Sequence, residues 1–112
     1  MAQTQGTASV LAEPKKPSDL LTVQEGAVVS RTLIDRPTGT VTLFAFDKDQ
    51  GLSEHHAPYD ALVEVLDGEV EVTVSGRPYR MQAGDFLLIP AQAAHALRAE
   101  SPMKMLLTMV RS

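Results

Sequence analysis

Residues 51–68 read GLSEHHAPYDALVEVLDG, and this stretch joins two adjacent histidines to an apolar run and a turn. Residues 61–66 are mostly β-branched and aliphatic, which favours a strand. Asp67-Gly68 is a strong hairpin dipeptide, because both residues accept positive φ. Residues 69–74, EVEVTV, alternate valine with polar side chains and are predicted to form the partner strand, with one face in the core and the other in water.

Short strands separated by turn signals are predicted on both sides of this stretch. Residues 20–34 indicate two short strands or one strand with a bulge near Gly26, and residues 40–46 place Phe44 and Phe46 on one face. Residues 86–89, FLLI, predict a strand covered on both faces. Turns are expected at residues 36–39 and 75–78, a closing strand at 103–110, and one helical turn at 17–21 with Ser18 as N-cap. This pattern predicts an all-β antiparallel sandwich or barrel.

The composition is typical of one soluble globular domain. The chain has 112 residues, of which 44% are hydrophobic and 21% charged, and no apolar run is long enough to cross a bilayer. Residues 1–19 are predicted to form a flexible arm and residues 20–112 a single barrel. The net charge of −4 is scattered, which argues against nucleic acid as a partner, and the absence of cysteine excludes disulfides and thiolate chemistry. Without a visible secretory signal, we expect a cytoplasmic protein.

The motifs of several enzyme classes are absent. The sequence has no Gly-x-Ser-x-Gly elbow, no phosphate-binding glycine loop and no HExxH pair. The remaining candidates are the three histidines: His55 and His56 in the first stretch, and His95 at the end of residues 84–95, GDFLLIPAQAAH.

Both histidine stretches resemble the two sequence motifs of the cupin superfamily. His55, His56, Ala57 and Pro58 followed by VLDG are similar to the first motif, and Gly84, Pro90 and His95 have the spacing of the second. The resemblance covers roughly residues 40–109 and implies a double-stranded β-helix, also called a jelly-roll barrel, usually paired as a homodimer.

The chain departs from the family pattern at several positions. If Pro58 follows the second motif histidine, Ala57 stands in its place and Ala61 stands in place of the motif glutamate. Gln92 replaces a glycine, and Ala99 replaces an asparagine. Of the four family ligands, the resemblance therefore retains His55 and His95.

The alternation of side chains along a strand supports the choice of His55. If the odd-numbered residues 61–65 point inward, an uninterrupted strand also points His55 inward and His56 outward. A bulge at Pro58 would reverse this arrangement. It would bring three other donors towards the interior, namely Glu54, His56 and Asp60.

A metal centre is the leading chemical hypothesis for these residues. Catalytic metals normally take three protein ligands, so two imidazoles hold a divalent ion such as Zn, Mn, Ni or Fe only weakly. A third donor would come from a bound ligand or from one of four side chains: Glu54, His56, Asp60 or Gln92. The alternative is that His55 and His95 bind an anionic or hydroxylated molecule by hydrogen bonds.

Three functions follow from this reading. The first is a small cupin that binds a metal ion, a small polar molecule or both in the barrel. The second is a metal-dependent oxygenase or isomerase acting on a small hydroxy acid, keto acid or sugar-like substrate. The third is a structural or regulatory dimer whose interior is closed by side chains, for which the methionine-rich residues 103–110 are the evidence. A homodimer is expected in each case, because Leu62 and Leu66 indicate that the outer face of the sheet is covered.

Overall fold

The structure is a computed structural model that describes residues 13–111, and within them it has nine strands and one short 3₁₀ helix. No helix in this range is long and apolar enough to cross a membrane. The 3₁₀ helix is Pro17–Leu20. The strands are β1 Val28–Arg36, β2 Gly39–Phe46, β3 Gly51–His55, β4 Tyr59–Asp67, β5 Glu69–Val74, β6 Arg77–Gln82, β7 Phe86–Ile89, β8 His95–Ala99 and β9 Met103–Arg111.

The strands form two antiparallel sheets that enclose one core, which confirms the predicted all-β class. The first sheet has the order β1-β2-β9-β4-β7, and the second has the order β3-β8-β5-β6. Val63 and Val65 of the first sheet lie in one buried cluster with Val70 and Val72 of the second, because β4 and β5 both turn their alternate apolar side chains inward. Phe44 and Phe46 share a face as predicted, and their rings stack with centroids 5.7 Å apart.

The hairpin predicted at Asp67-Gly68 is wrong, because β4 and β5 belong to different sheets and do not pair. Gly68 has φ +80°, and a Cβ there would overlap the Pro102 carbonyl and the side chain of Met103. The turn is therefore a corner at which the chain passes from one sheet to the other. The partners of β5 are β6 and β8.

The hairpin of this region joins β5 to β6 instead. Ser75 and Gly76 have φ values of 50° and 82°, as a two-residue turn with two positive φ angles requires. The turn predicted at residues 75–78 is right for these two positions and wrong for Arg77 and Pro78, which begin β6. Pro78 is tolerated there because β6 is at the edge of its sheet.

The prediction that residues 86–89 are covered on both faces is also wrong, because one face of this strand is exposed in the single chain. Ile89 is 1% exposed and lies in the core, but Phe86 and Leu88 are 69% and 62% exposed. The strand β7 is at the edge of the five-stranded sheet. Among residues 13–111, no second layer covers its outward side chains.

The described part of the predicted arm crosses the outer face of the five-stranded sheet. The Nζ of Lys104 donates a hydrogen bond to the Ser18 carbonyl at 2.6 Å, and Arg31 Nη1 donates to the Leu20 carbonyl at 3.2 Å. The helical turn is confirmed, but its N-cap is Lys16, whose side chain makes no capping bond, so the predicted Ser18 cap is wrong. Residues 1–12 of the predicted arm lie outside the described residues.

Strand β1 contains the irregularity that the sequence suggested, at a different residue. Its register with β2 shifts between Thr32 and Ile34, and Gly26 lies in the turn before the strand with φ +66°. The Gly26 N–H donates to the carboxylate of Asp47 at 2.7 Å. This bond ties the amino-terminal segment to the end of β2.

Candidate functional site

His55 and His95 are direct cross-strand neighbours at one end of the barrel. His55 is the last residue of β3 and His95 the first of β8, and the two are paired in register. A bulge between Leu52 and His55 makes this pairing possible, because three steps along β3 oppose two along β8. The imidazole centroids are 4.2 Å apart and the rings are tilted by 59°.

The pair lies on the inner face of the four-stranded sheet. The cross-strand neighbour of His95 on β5 is Val74, and the next position on the same face of β8, Leu97, is in the core. His95 is only 9% exposed, whereas His55 is exposed at the end of its strand. The pair therefore has one imidazole embedded in the barrel and one at its mouth.

Backbone carbonyls determine the tautomer of both rings. His55 Nδ1 lies 2.7 Å from the Ser53 carbonyl oxygen, and His95 Nδ1 lies 2.9 Å from that of Ala93. A carbonyl oxygen only accepts, so each Nδ1 carries a proton and donates. In the neutral rings each Nε2 then keeps its lone pair, free to accept a hydrogen bond or bind a metal ion. Nothing in the sequence marks these two carbonyls, which is why sequence reasoning missed them.

His56 has a different partner from the other two histidines. Its Nδ1 lies 3.2 Å from Gln92 Oε1, and the Gln92 backbone N–H donates to the Ala57 carbonyl at 2.8 Å. Gln92 thus links the connection after His55 to the turn before His95. Its φ is +70°, a conformation that the glycine of the family pattern adopts without steric cost.

The other candidate donors do not gather around the pair. Asp60 accepts a hydrogen bond from the Ala91 N–H at 2.9 Å, and it is paired in register with the outward-facing Val110. Glu54 is exposed within the bulge of β3. Within residues 13–111 no group of three or more His, Cys, Asp or Glu residues could hold a metal ion. His55 and His95 are accordingly a two-donor set.

The chain between the histidine stretch and β4 is not an uninterrupted strand. The strand β3 ends at His55, and β4 begins at Tyr59 in the other sheet. The alternation argument assumed one uninterrupted strand from His55 to residue 65, and this assumption is wrong. His55 nevertheless faces the same side as His95. The orientation of His55 is set by its pairing with His95 and not by the alternation of side chains along β4.

Two further polar groups lie at this end of the barrel, on the opposite sheet. The Arg111 guanidinium is 5.5 Å from the centroid of the Tyr59 ring, and the two residues are paired in register. Thr40 Oγ1 is buried and has no hydrogen-bond partner within the described residues. Sequence reasoning missed the Arg111 guanidinium and Thr40 Oγ1, because their neighbourhood depends on how the two sheets close.

A family model described as "Cupin domain" matches residues 42–110, more than half of the chain. A conserved protein of unknown function from Streptococcus pyogenes has a similar structure, with a TM-score of 0.87 and 33% identity over 90% of this chain and 89% of that one. A cupin superfamily protein from Desulfitobacterium hafniense gives 0.86 and 26% over 90% and 93%.

A cupin 2 conserved barrel domain protein from Leptotrichia buccalis is 40% identical, with a TM-score of 0.81. The match covers 84% of this chain but only 46% of the Leptotrichia chain. No curated protein matches the sequence. These structures share the double-stranded β-helix, and an RmlC-like cupin from Shewanella frigidimarina has the same fold at 21% identity, with a TM-score of 0.73 over 78% of each chain.

Proposed function

Since the chain belongs to the cupin domain family, we propose that it binds a small polar molecule at the barrel mouth through His55 and His95, together with a divalent transition metal ion. One observation carries the proposal. Both rings donate Nδ1–H to a backbone carbonyl, so two neighbouring Nε2 atoms remain available. Two neutral imidazoles with Nε2 free suit a hydroxyl donor or a transition metal.

The donor set limits what the metal would do. Two imidazoles fit a divalent ion such as Zn, Mn, Ni or Fe, provided that other atoms fill the remaining coordination positions. An oxygen-bearing ligand would supply them, and Gln92, whose Oε1 lies 3.2 Å from His56 Nδ1, is the uncharged protein candidate. The ion would then hold a hydroxy or keto group of the ligand at the barrel mouth.

A metal-dependent oxygenase or isomerase is the alternative function, and it needs a third donor. Asp60 is engaged with the Ala91 N–H and His56 with Gln92, so either would have to leave its present partner. A non-catalytic dimer is the other alternative, supported by the fully buried Met103 and Met105. A cytoplasmic location stays a prediction of the sequence.

Metal titration of tag-free, metal-depleted protein tests the proposal. We expect one equivalent of Zn²⁺ or Ni²⁺ to bind, and affinity to fall at least about tenfold in His55→Ala and in His95→Ala, because each removes half of the protein donors. His56→Ala is the matched control and should stay near wild type. Equal losses in all three variants, or no binding by the wild type, would contradict the metal component.

Long-range ¹H–¹⁵N NMR of the imidazoles tests the observation itself. In the metal-free protein at a pH where the rings are neutral, His55 and His95 should both show protonated Nδ1 and unprotonated Nε2. Addition of glycolate, as a small hydroxylated probe, should shift the Nε2 signals of these two rings and leave that of His56 unchanged. Nε2-protonated rings would remove the basis of the proposal.

A further inference from the structure

A cationic side chain lies in the same cross-strand row as the two histidines. On the inner face of the four-stranded sheet, the registers align four residues: His55, His95, Val74 and Arg77. Directly opposed residues of antiparallel strands point to the same side, so Arg77 faces the mouth together with the histidines. With strands about 4.8 Å apart, the Cα of Arg77 is about 10 Å from that of His95, a gap that an arginine side chain and a small ligand can span.

The facing sheet changes from apolar to polar as it approaches the mouth. From the core outward, the inward residues of β2 are Phe46, Phe44, Thr42 and Thr40. The inward residues of β9 end at Arg111. Thr40 is paired with Met109, so Arg111 is its diagonal neighbour, and such neighbours lie about 7–8 Å apart. This wall of the mouth therefore carries a cation beside a hydroxyl group.

Neither cation is neutralised by a carboxylate of the described chain. Within residues 13–111 the guanidinium groups of Arg77 and Arg111 form no ion pair, and both side chains are exposed. The Arg111 guanidinium lies against the Tyr59 ring and donates to the Pro37 carbonyl at 3.4 Å, which orients the group and leaves its charge in place. The whole chain has a net charge of −4. Two such cations at one opening of an acidic protein indicate an anionic ligand.

The hydroxyl group of Thr40 supports the same kind of ligand. Its Oγ1 is buried and makes no hydrogen bond to the part of the chain that the structure describes. Buried polar atoms are nearly always hydrogen-bonded, so this hydroxyl is available to donate to a ligand. The carboxylate paired with Thr40 in register is Asp35, which is exposed on the edge strand β1. Asp35 is two strands from Arg111, so about 10 Å of sheet separates the two charges.

We infer that the mouth selects a small hydroxy carboxylate. Arg111 and Thr40 Oγ1 hold the carboxylate, and Arg77 adds positive charge on the histidine wall. The inference rests on the proposed function, in which the Nε2 atoms of His55 and His95 hold the hydroxyl group. A planar guanidinium donates two parallel hydrogen bonds to a carboxylate, and the Thr40 hydroxyl supplies a third.

Titration of the tag-free, metal-free protein with glycolate and with glycolamide, its uncharged analogue, tests the charge requirement. Shifts of the His55 and His95 Nε2 signals measure both affinities, at a pH where the rings are neutral. We expect the wild type to bind glycolate at least about tenfold more tightly than glycolamide. Arg111→Gln should lower the glycolate affinity about fivefold or more and leave the glycolamide affinity unchanged, because only the carboxylate forms charge-assisted bonds.

Three further variants make the result specific. Arg77→Gln should lower the glycolate affinity only about two- to threefold, because salt screens a more distant exposed charge. Thr40→Val should lower it by a similar factor through loss of the hydroxyl donor, with circular dichroism as the check on its fold. Arg36→Gln removes a cation from the outward face of β1 and should bind both probes like wild type.

The outcomes separate this inference from the proposed function. Equal affinity of the wild type for the two probes, or a glycolate affinity that Arg111→Gln leaves unchanged, overturns the inference. If His55→Ala and His95→Ala still abolish glycolate binding in that case, the proposed function stands and only the carboxylate assignment fails. A wild type that binds neither probe contradicts the small-molecule part of the proposed function, and the inference fails with it.

Discussion

The two ends of the barrel are built from the same strands and differ in how they are closed. At one end, Phe46, Val70, Ala99 and Met103 are all 0% exposed, and Gly68 lies against Met103. At the other end, His55 is exposed, Thr40 Oγ1 has no partner among the described residues, and Gln92 adopts a left-handed backbone conformation. We refer to them as the packed end and the open end.

This difference shows where the fold can accommodate a site. At the packed end apolar side chains fill the interior between the sheets and stabilise the fold by their burial. The depression found there is on the surface, with a volume of about 440 Å³ and a lining that includes Gly68, Glu69 and Ser101. At the open end the backbone is strained at Gln92, and Thr40 Oγ1 has no partner among the described residues. Such features are typical of binding sites. The β3–β8 pairing connects the two, because Leu52 and Leu97 lie one pair inward from the histidines.

The largest contrast should come from one substitution made at each end. Gly68 at the packed end and Gly76 at the open end have nearly the same φ, +80° and +82°, but only Gly68 lacks room for a Cβ. We expect Gly76→Ala to lower the free energy of unfolding by about 1–2 kcal/mol, from the positive φ alone. Gly68→Ala should cost about 1–3 kcal/mol more, because the methyl group also overlaps the Pro102 carbonyl. Urea unfolding measures both, and equal losses would refute the description of the packed end.

A second comparison measures the strain at the open end. Gln92→Ala keeps the side-chain Cβ at φ +70° and loses the contact with His56, whereas Gln92→Gly also relieves the backbone. We expect the glycine variant to be more stable than the alanine variant by about 1–2 kcal/mol in urea unfolding. If alanine proved the more stable of the two, the backbone at residue 92 would not be strained as described.

The smallest effect concerns pH at the packed end. Hydrogen bonds from the Gly26 and Lys48 N–H groups hold the pKa of Asp47 below its ordinary value of 3.8. A depressed carboxyl pKa stabilises the fold above the ordinary pKa, and this stabilisation is lost as pH falls through the lower folded value.

Asp47→Asn should therefore be less stable than wild type at neutral pH, and the difference should shrink at strongly acidic pH. Urea unfolding at several pH values measures it. Asp35→Asn, an exposed carboxyl on β1, is the control and should show little change. A difference that grows on acidification would contradict the role of Asp47.

Much of the fold was predictable from local patterns. The strand at residues 69–74 was predicted with its observed bounds, because alternating valines on a half-buried strand leave a clear period of two. The strands β3, β6 and β8 were not predicted. Polar residues, alanines and Pro78 weaken their local signal, and their pairing within the sheet stabilises them.

The candidate site was predictable only in part. The motif spacing in the resemblance selected His55 and His95, and the structure places their rings 4.2 Å apart. The bulge in β3 and the two carbonyls that orient the rings depend on backbone geometry, for which the sequence contains no local signal. Phe86 is the opposite case. Four successive apolar residues predicted a strand covered on both faces, but Phe86 is 69% exposed because β7 lies at the edge of its sheet.

By itself, the sequence determined the all-β class and the single core, because periodicity is a local property of the chain. The motif resemblance singled out His55 and His95 as candidates, and their role stays a prediction. The tertiary structure decided that Asp67-Gly68 is a corner between sheets and that His55 faces His95. It also decided that, within residues 13–111, Leu43 and Ala45 on the outer face are buried whereas Phe86 and Leu88 on the same face are exposed. These outcomes depend on which strands pair, and pairing is selected by the burial of both sheets together.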